Sequence, residues 1–236
     1  MAVIGAQVTL GPGCSVGAHA VVEGPTVLGA GNVLGPHVVL GTPPQRRDDH
    51  LLGSLRVGDH NTFREFCTVH RGSDDSATEI GSRCMLMAYS HVGHDCHLGD
   101  QVEMANGVQL GGHVDVGTGA VLGGLAAVHQ FCRVGQRAMV AGGAIVVQDV
   151  PPFCQVAGDR ARLYGVNDLG LRRAGFDQKQ RRAIAQALRI LRRSADIQDA
   201  LQTLSSMSTT SDCVGEILEF VRASQRGLCR PVSRRR

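Results

Sequence analysis

The chain has 236 residues, which is enough for one large domain or for one domain with a smaller appendage. Its net charge of +3, with both signs mixed, is too small to indicate nucleic-acid or membrane binding, and neither is predicted. It has no Trp, 2 Tyr and 6 Phe, yet 43% of its residues are hydrophobic and 31 are Gly. Because aromatic side chains usually contribute much of a core, this composition indicates thin, repetitive layers of Val, Leu and Ala.

The N-terminal segment has no charged stretch followed by a long apolar run. Neither a signal peptide nor a transmembrane helix is therefore predicted, and the expected compartment is the cytoplasm. Eight Cys suggest a disulfide framework at first sight, but such frameworks are typical of short secreted chains.

An aliphatic residue recurs every six positions through the first two thirds of the chain. The first run comprises Ile4, Leu10, Val16, Val22, Leu28, Leu34 and Leu40. The period resumes at Val57, is interrupted again from Gly72 to Glu79, and then continues from Ile80 to Val146. A period of six is neither helical nor a simple strand alternation. It is typical of a parallel β-helix, in which three hexapeptides form one triangular coil.

Two other positions of the hexapeptide are also restricted. Gly usually follows the aliphatic residue, where we expect it to permit unusual backbone angles. A compact residue comes four positions after the aliphatic one. Five cysteines occupy this compact position and are predicted to be small buried hydrophobes and not metal ligands, namely Cys14, Cys67, Cys84, Cys96 and Cys132.

The period ends at Pro151-Pro152, and helical signals follow. Asp177 and Gln180 predict a capping box that opens an amphipathic helix to about Arg193. Two more helices are predicted from Asp196 to Leu204 and from Ser211 to Ser224, before a disordered tail at Arg234–Arg236. The predicted organisation is a β-helix over residues 1–155 and a helical domain over residues 156–236.

Residues 18 apart share one column of such a β-helix. Gly93-His94-Asp95 therefore lies beneath Gly111-Gly112-His113, which lies beneath His129-Gln130-Phe131. One corner gathers His94, His113, His129 and Gln130 within roughly 10 Å of height. A single histidine here is best interpreted as a solvated corner residue, but three on adjacent coils favour a functional site.

The spacing of His91, His94 and His97 looks like that of a metal cluster. Six residues turn the chain by a third of a coil, so His91 and His97 are expected to point from different parts of the prism. Zinc needs convergent ligands, which within one chain these residues do not supply. No metal is predicted.

Six segments resemble the bacterial UDP-N-acetylglucosamine acyltransferases, in order and over nearly the whole chain. They are TVHRGS (68–73), MAYSHVGHDC (87–96), VHQFCRVG (128–135), QDVPPF (148–153), YGVNDLGLRRAGF (164–176) and RASQRGLCR (222–230). The resemblance implies a left-handed parallel β-helix followed by a small C-terminal α-helical domain. It also implies transfer of a 3-hydroxyacyl chain from acyl carrier protein to the 3-hydroxyl of UDP-N-acetylglucosamine, the first step of lipid A biosynthesis. The carrier's phosphopantetheine thioester is the donor, no separate cofactor is needed, and the family is a homotrimer with sites between subunits.

By the same resemblance, His94 matches the catalytic base, and imidazole suits this role because it titrates near neutral pH. Asp95 is a candidate for orienting His94, although neighbours on a strand often diverge. The backbone N–H of Gly112 matches the donor to the oxyanion. The residues that match substrate-binding positions are Gln45, His91, His113, His129, Gln130, Asn167 and Arg173. Gly142, with Met139 nearby, matches the acyl-length ruler and lies on a different corner from His94.

The sequence departs from the family in its sugar-binding loop, where Gln-Asp-Leu-Lys is replaced by Gln45-Arg46-Arg47-Asp48, and at Leu169, where the family has Glu. These departures leave a variant nucleotide sugar open as the acceptor. The alternatives are an N-acyltransferase on an amino sugar, an acetyl-CoA-dependent relative, a non-catalytic β-helix paralogue, and a zinc enzyme like the gamma-class carbonic anhydrases. Arginine pairs such as Arg181-Arg182 and Arg192-Arg193 suit an acidic carrier protein, or are simply solvated.

Overall fold

The computed structural model describes residues 1–47, 53–194, 196–209, 211–229 and 231. Three sheets form the faces of a triangular prism, and each coil adds one strand to each sheet. The pairing of the stacked coils is parallel and mostly joins residues 18 apart, as in Val3 with Val21 and His91 with Gln109, whereas the last two strands of the chain pair antiparallel. The chain is therefore the parallel β-helix that the period of six predicts.

The strands are numbered along the chain. Sheet A contains β1 (Val3–Ile4), β4 (Val21–Val22), β7 (Val39–Thr42), β10 (Thr68–His70), β13 (His91–Val92), β16 (Gln109–Leu110), β19 (Ala127–Val128) and β22 (Ile145–Val146). Sheet B contains β2 (Val8–Leu10), β5 (Thr26–Leu28), β8 (Ser54–Val57), β11 (Ala77–Ile80), β14 (His97–Leu98), β17 (Asp115–Val116) and β20 (Arg133–Val134). Sheet C contains β3 (Ser15–Val16), β6 (Val33–Leu34), β9 (Thr62–Phe63), β12 (Met85–Leu86), β15 (Glu103–Met104), β18 (Val121–Leu122), β21 (Met139–Val140), β23 (Cys154–Ala157) and β24 (Arg162–Val166).

The periodic aliphatic residues point into the prism and form its core. Only the first of them, such as Ile4 and Leu10, stay substantially exposed, because they lie in the terminal coil. Cys67, Cys84, Cys96 and Cys132 are buried free thiols, as predicted, whereas Cys14 is half-buried. Burial raises the pKa of the Cys67 thiol to about 12, which keeps it protonated and unreactive.

We predicted that the glycine after each aliphatic residue permits unusual backbone angles, and this prediction is wrong. Of those in the first run, only Gly41 has a positive φ. A Cβ on Gly11 would lie 2.4 Å from the carbonyl carbon of Gly29, so stacked coils exclude a side chain there. The left-handed residues come two positions later and are mostly not glycine, as in His37 (φ 59) and Tyr89 (φ 61).

Four helices are described: α1 (Asp168–Arg173), α2 (Gln178–Arg193), α3 (Ile197–Ser208) and α4 (Asp212–Arg222). The capping box of Asp177 and Gln180 at the start of α2 is confirmed. Helix α1 was not predicted, α3 runs past Leu204, and the tail Arg234–Arg236 lies outside the described residues. Among the described helices, none has both the length and the apolar character needed to cross a bilayer.

Buried Asp149 fastens the C-terminal segment to the last coil. Its carboxylate accepts hydrogen bonds from the Arg133 backbone N–H (2.8 Å) and from the Ser224 hydroxyl (2.7 Å). The backbone adds bonds from Asp149 N–H to the Gly227 carbonyl and from Cys229 N–H to the Asp149 carbonyl. The helices are thereby fixed relative to the prism.

Candidate active site

The corner between sheets A and B carries the predicted catalytic residues. We call it the A/B corner; it consists of residues 93–96, 111–114 and 129–132, which join β13 to β14, β16 to β17 and β19 to β20. The His113 N–H donates to the His94 carbonyl (2.9 Å), and the Phe131 N–H donates to the Gly112 carbonyl (3.1 Å). The three triplets therefore stack in the predicted order.

His94 and Asp95 are in direct contact. Nδ1 of His94 lies 2.5 Å from Oδ2 of Asp95. Consecutive side chains on an extended strand point to opposite faces, but Asp95 adopts a left-handed conformation (φ 60), which removes that alternation. The adjacent side chains therefore converge, and Asp95 can orient the imidazole.

The Asp95 carboxylate is buried and held by several donors. It accepts from the Ser73 backbone N–H (2.9 Å), from the Ser73 hydroxyl (2.7 Å) and from the Ser76 hydroxyl. Burial alone would raise the pKa of Asp95, but the hydrogen bonds from Ser76, His94 and Ser73 outweigh it and hold this pKa below its ordinary value. The group is thus a charged acceptor for the His94 ring.

The two serines were missed as functional residues. Ser73 ends one of the segments that resemble the family, and Ser76 lies in the second interruption of the period, where no repeat position defines its location. The interruption was the available signal, because a break in a regular repeat marks a segment that leaves the prism wall.

Gly112 lies directly against the reactive side of the imidazole. A Cβ on Gly112 would be 2.7 Å from Nε2 of His94. The Gly112 carbonyl accepts a hydrogen bond from Phe131, whereas its N–H has no hydrogen-bond partner in the described part of the chain. An acceptor nitrogen and an unused backbone donor therefore occupy adjacent coils of one corner.

His113 completes the cluster. Its Nε2 lies 3.5 Å from Oδ2 of Asp95, and its ring stacks on Phe131 with the centroids 4.6 Å apart. Burial is the main reason that the pKa of His113 is lowered. His129 and Gln130 sit one coil above on the exposed surface.

Three predicted substrate-binding residues line a groove of about 430 Å³ on sheet A: Gln45, His91 and His129. His91 Nδ1 lies 2.9 Å from the Thr68 hydroxyl. Burial, helped by nearby His70, lowers the pKa of His91 to about 4, so its ring is neutral at physiological pH. The groove leads from the A/B corner across the sheet.

The remaining predicted residues lie on other parts of the prism. Met139 is in sheet C, and Gly142 follows it at the corner between sheets C and A. Asn167 caps α1, and its side-chain NH₂ donates to the Arg137 carbonyl (2.9 Å) at the corner between sheets B and C. Arg173 ends α1. One chain therefore does not bring these four residues to His94.

A metal ion is a geometric possibility at the A/B corner. The ligand atoms of His94, Asp95 and His113 all lie within 4.8 Å of one another. The same atoms already form the hydrogen-bonded contact that orients His94, so the geometry has an explanation without an ion. His91 and His97 lie on sheets A and B respectively and do not join this cluster, as the six-residue step predicts.

The altered sugar loop contributes an ion pair at the mouth of the site. Nη1 of Arg46 lies 3.8 Å from Oδ2 of Asp74, which belongs to the segment that holds Asp95. An acidic and a basic side chain are thus present together, although they come from two different loops. Leu169 is 61% exposed on α1, and Asp48 lies outside the described residues.

Comparison with known proteins identifies the family to which the chain is similar. The family profile described as "Udp N-acetylglucosamine O-acyltransferase; Domain 2" matches residues 149–229, and that described as "Bacterial transferase hexapeptide (six repeats)" matches residues 77–112. Acyl-(acyl-carrier-protein)–UDP-N-acetylglucosamine O-acyltransferases from Syntrophobacter fumaroxidans and an Anaeromyxobacter species are 43% and 44% identical. The alignments cover 97% and 88% of this chain, and 90% and 82% of those proteins.

Solved structures support the same assignment. The UDP-N-acetylglucosamine acyltransferase of Francisella novicida superimposes with a TM-score of 0.91 at 28% identity, covering 98% of this chain and 93% of that one. The Arabidopsis enzyme gives 0.82 at 30% identity, covering 97% and 98%. The left-handed parallel β-helix with C-terminal helices is confirmed. This chain belongs to the acyl-(acyl-carrier-protein)–UDP-N-acetylglucosamine O-acyltransferase family of enzymes.

Proposed function

We propose that the protein transfers a 3-hydroxyacyl chain from acyl carrier protein to the 3-hydroxyl of UDP-N-acetylglucosamine, as the first step of lipid A biosynthesis in the cytoplasm, with His94 as general base. The observation that carries this proposal is the contact of His94 Nδ1 with the Asp95 carboxylate, 2.5 Å away. A charged carboxylate holds the proton on Nδ1, which leaves Nε2 as the acceptor nitrogen. Nε2 faces Gly112, where the lack of a side chain leaves room for the sugar hydroxyl.

The reaction then needs a hydrogen-bond donor that stabilises the negative charge developing on the thioester oxygen. The Gly112 N–H supports this role, since it is next to His94 and has no other partner in the described structure. One preorganised backbone donor of this kind typically contributes a factor of about 10²–10³ in turnover. Proton removal and charge stabilisation therefore occur at one corner.

The acceptor that we propose is that of the family, UDP-N-acetylglucosamine, because relatives above 40% identity are named for it. The Arg46–Asp74 ion pair supplies an acidic and a basic side chain beside the loop in which the sequence exchanges or displaces those of the family. We expect Arg46→Ala to raise KM for the nucleotide sugar with little change in kcat, since a contact shared by ground state and transition state affects binding alone.

The donor that we propose is an acyl carrier protein, an acidic partner. Arg182, Arg189 and Arg193 line one depression on α2 and suit electrostatic steering. Arg181 is already committed to an ion pair with Asp168 at 2.7 Å, and Arg192 donates to the Tyr164 carbonyl. The docking surface that we propose therefore takes one arginine from each predicted pair, Arg182 and Arg193, together with Arg189.

We also propose a homotrimer in which the neighbouring subunit completes each site. The support is that Asn167, Arg173 and Gly142 lie on other parts of the prism than His94. Chains carrying His94→Ala and chains carrying Arg173→Ala are each expected to be inactive alone. Random mixing of the two should restore about a quarter of the sites if a cyclic trimer pairs His94 with the next subunit's Arg173. No recovery on mixing would contradict this arrangement.

The central test uses purified protein, UDP-N-acetylglucosamine and 3-hydroxyacyl carrier protein, with the product identified by mass. We expect an O-acylated sugar from the parent and a loss of about 10²–10⁴ in kcat for His94→Ala. His97→Ala is the matched control, because His97 lies exposed on sheet B, where its Nδ1 is 3.1 Å from Oδ1 of Asp115. An acyl product only with a 3-amino acceptor would instead establish the N-acyltransferase, and no turnover with any acceptor would establish the paralogue.

A further inference from the structure

The C-terminal segment, residues 224–229, lies across one end of the A/B corner. The backbone of Asp149 forms a parallel bridge with this segment, which places it against the last coil. Val147 belongs to that coil and lies one coil above His129, because β22 stacks on β19 with partners 18 residues apart. The coil of His94 is two steps further down, so Val147 lies about 14 Å from it along the prism.

Arg226 brings a positive charge to this end of the corner. Its Nη2 lies 3.5 Å from the Val147 carbonyl, and Val147 lines the groove on sheet A together with His129. Burial raises the pKa of the Cys132 thiol to about 11, and the positive charge of nearby Arg226 opposes that rise. In the part of the chain that the structure describes, no carboxylate lies within ion-pair distance of Arg226. Its charge is therefore available to an anion.

The nucleotide of the proposed acceptor extends towards this end of the corner. Gln130, which matches a nucleotide-contacting position of the family, lies two coils above His94 in the confirmed stacking order. The reacting sugar hydroxyl is proposed at His94, so the diphosphate follows in the direction of Gln130 and then Val147. Arg46 comes from the interruption below the His94 coil and pairs with Asp74. The phosphates thus extend away from Arg46 and towards the C-terminal segment.

We infer that Arg226 binds a phosphate group of a substrate, namely the diphosphate of the nucleotide sugar. The inference rests on the acceptor proposed above and adds a binding residue to that site. A guanidinium has five N–H donors in one plane and can pair with two phosphate oxygens at once. The Val147 carbonyl accepts from one nitrogen and holds the side chain over the corner, which leaves further N–H groups for an anion. The phosphodiester of the carrier's phosphopantetheine has the same chemistry, so the experiment separates the two sources.

The first test measures binding without turnover. Calorimetry of the purified protein compares uridine diphosphate with uridine, which has the same base and ribose but no phosphate. We expect Arg226→Gln to weaken binding of uridine diphosphate about 10-fold, at the lower end for a charge-assisted hydrogen bond because the guanidinium is exposed to screening. Binding of uridine should not change. Equal losses for both ligands would overturn the inference, and no loss for uridine diphosphate would exclude the nucleotide as the source of the phosphate.

Arg222→Gln is the matched control, because it removes the same charge from a nearby position. Arg222 is exposed at the end of α4 and lines a different depression, beside α3. We expect this variant to bind both ligands as the parent does. Arg226→Lys keeps the charge and should recover part of the affinity for uridine diphosphate. A lysine variant as weak as Arg226→Gln, with the melting temperature lowered in both, would show a structural role and overturn the inference.

The second test measures turnover with both substrates. Arg226→Gln should raise KM for UDP-N-acetylglucosamine about 10-fold, with little change in kcat or in KM for the acyl carrier protein. A rise confined to the KM of the carrier protein would keep the phosphate site and assign it to the phosphopantetheine diester. Unchanged KM values for both substrates would refute the role of Arg226 and leave the proposed function standing. A parent without turnover would refute the proposed function, whereas a loss of binding confined to uridine diphosphate would still establish the phosphate site.

Discussion

Gly112→Ala should disable the enzyme by displacing one imidazole. The added methyl would lie 2.7 Å from Nε2, 2.8 Å from Cε1 and 3.2 Å from Cδ2 of His94. An ordinary contact begins near 3.4 Å, so the ring must move by about 0.7 Å. The ring is tied to Asp95 at 2.5 Å and cannot swing freely. A misplacement of about 1 Å costs roughly 100-fold in rate, so we expect kcat/KM to fall about 100-fold, or about 2.7 kcal/mol.

The assay separates this effect from general damage. Gly112 does not have a positive φ, so alanine fits its backbone and the melting temperature should hardly change. Gly215→Ala is the control, because its Cβ in helix α4 would meet nothing closer than 4.0 Å. That variant should keep full activity and gain about 1 kcal/mol from helix propensity.

A double variant gives the sharper measurement. If the methyl acts only through His94, then Gly112→Ala should cost nothing further in a His94→Ala background, because no ring remains to be displaced. Parental kcat/KM in folded Gly112→Ala would show that Nε2 of His94 does not face the reacting atoms. Fully additive losses in the double variant would show that the methyl does not act through His94.

Four more outcomes follow from the site. Ser76→Ala removes a hydrogen-bond donor to the Asp95 carboxylate, so the pKa of Asp95 should rise. We expect kcat to fall roughly tenfold and the acid limb of its pH profile to move to higher pH. An unchanged pH profile would exclude this positioning role for Ser76. Gly142→Met should shorten the acyl chain of the product, as read by mass. His91 has a folded pKa of about 4 against 6.5 unfolded, so the free energy of unfolding should drop as pH falls through this window. Because the ring keeps some contact with water, we expect the free energy of unfolding of the parent to fall by about 2 kcal/mol more than that of His91→Gln, as measured by urea unfolding. Exhaustive chelation should leave kcat unchanged, and a loss restored by zinc would place a metal at the A/B corner.

The repeat made the prism and its columns predictable from the sequence. A fixed step of 18 residues between stacked positions places Gly112 above His94 without any knowledge of tertiary contacts, and the structure confirms the stacking. The same regularity misled the interpretation of glycine. Gly is favoured both by a left-handed φ and by a close approach of two backbones, and the sequence alone does not distinguish these two causes. The structure distinguishes them, because the Gly29 carbonyl carbon lies where a side chain on Gly11 would be.

Elements outside the repeat were harder to predict. Helix α1 has six residues, too few to show an amphipathic period, and is instead fixed by the Asn167 cap and a bond to Arg137. The contact of Asp95 with His94 depends on a left-handed backbone at a non-glycine residue, which strand alternation does not foresee. His91 is neutral because its ring is buried. The repeat predicts which side chains point into the prism, but it does not predict how far an outward-pointing side chain is buried.

The two interruptions of the period explain why the site lies at this corner. A strict hexapeptide repeat holds each outward side chain in its own column, so polar groups seldom converge on one atom. Both interruptions connect sheet A to sheet B, after β7 and after β10, directly below the coil of His94. The first supplies Gln45 to the groove and Arg46 to its mouth, and the second supplies the serines that hold Asp95. Because insertions in a repeat protein collect on its functional side, the corner where the period breaks twice marks the active corner, even before the histidines are considered.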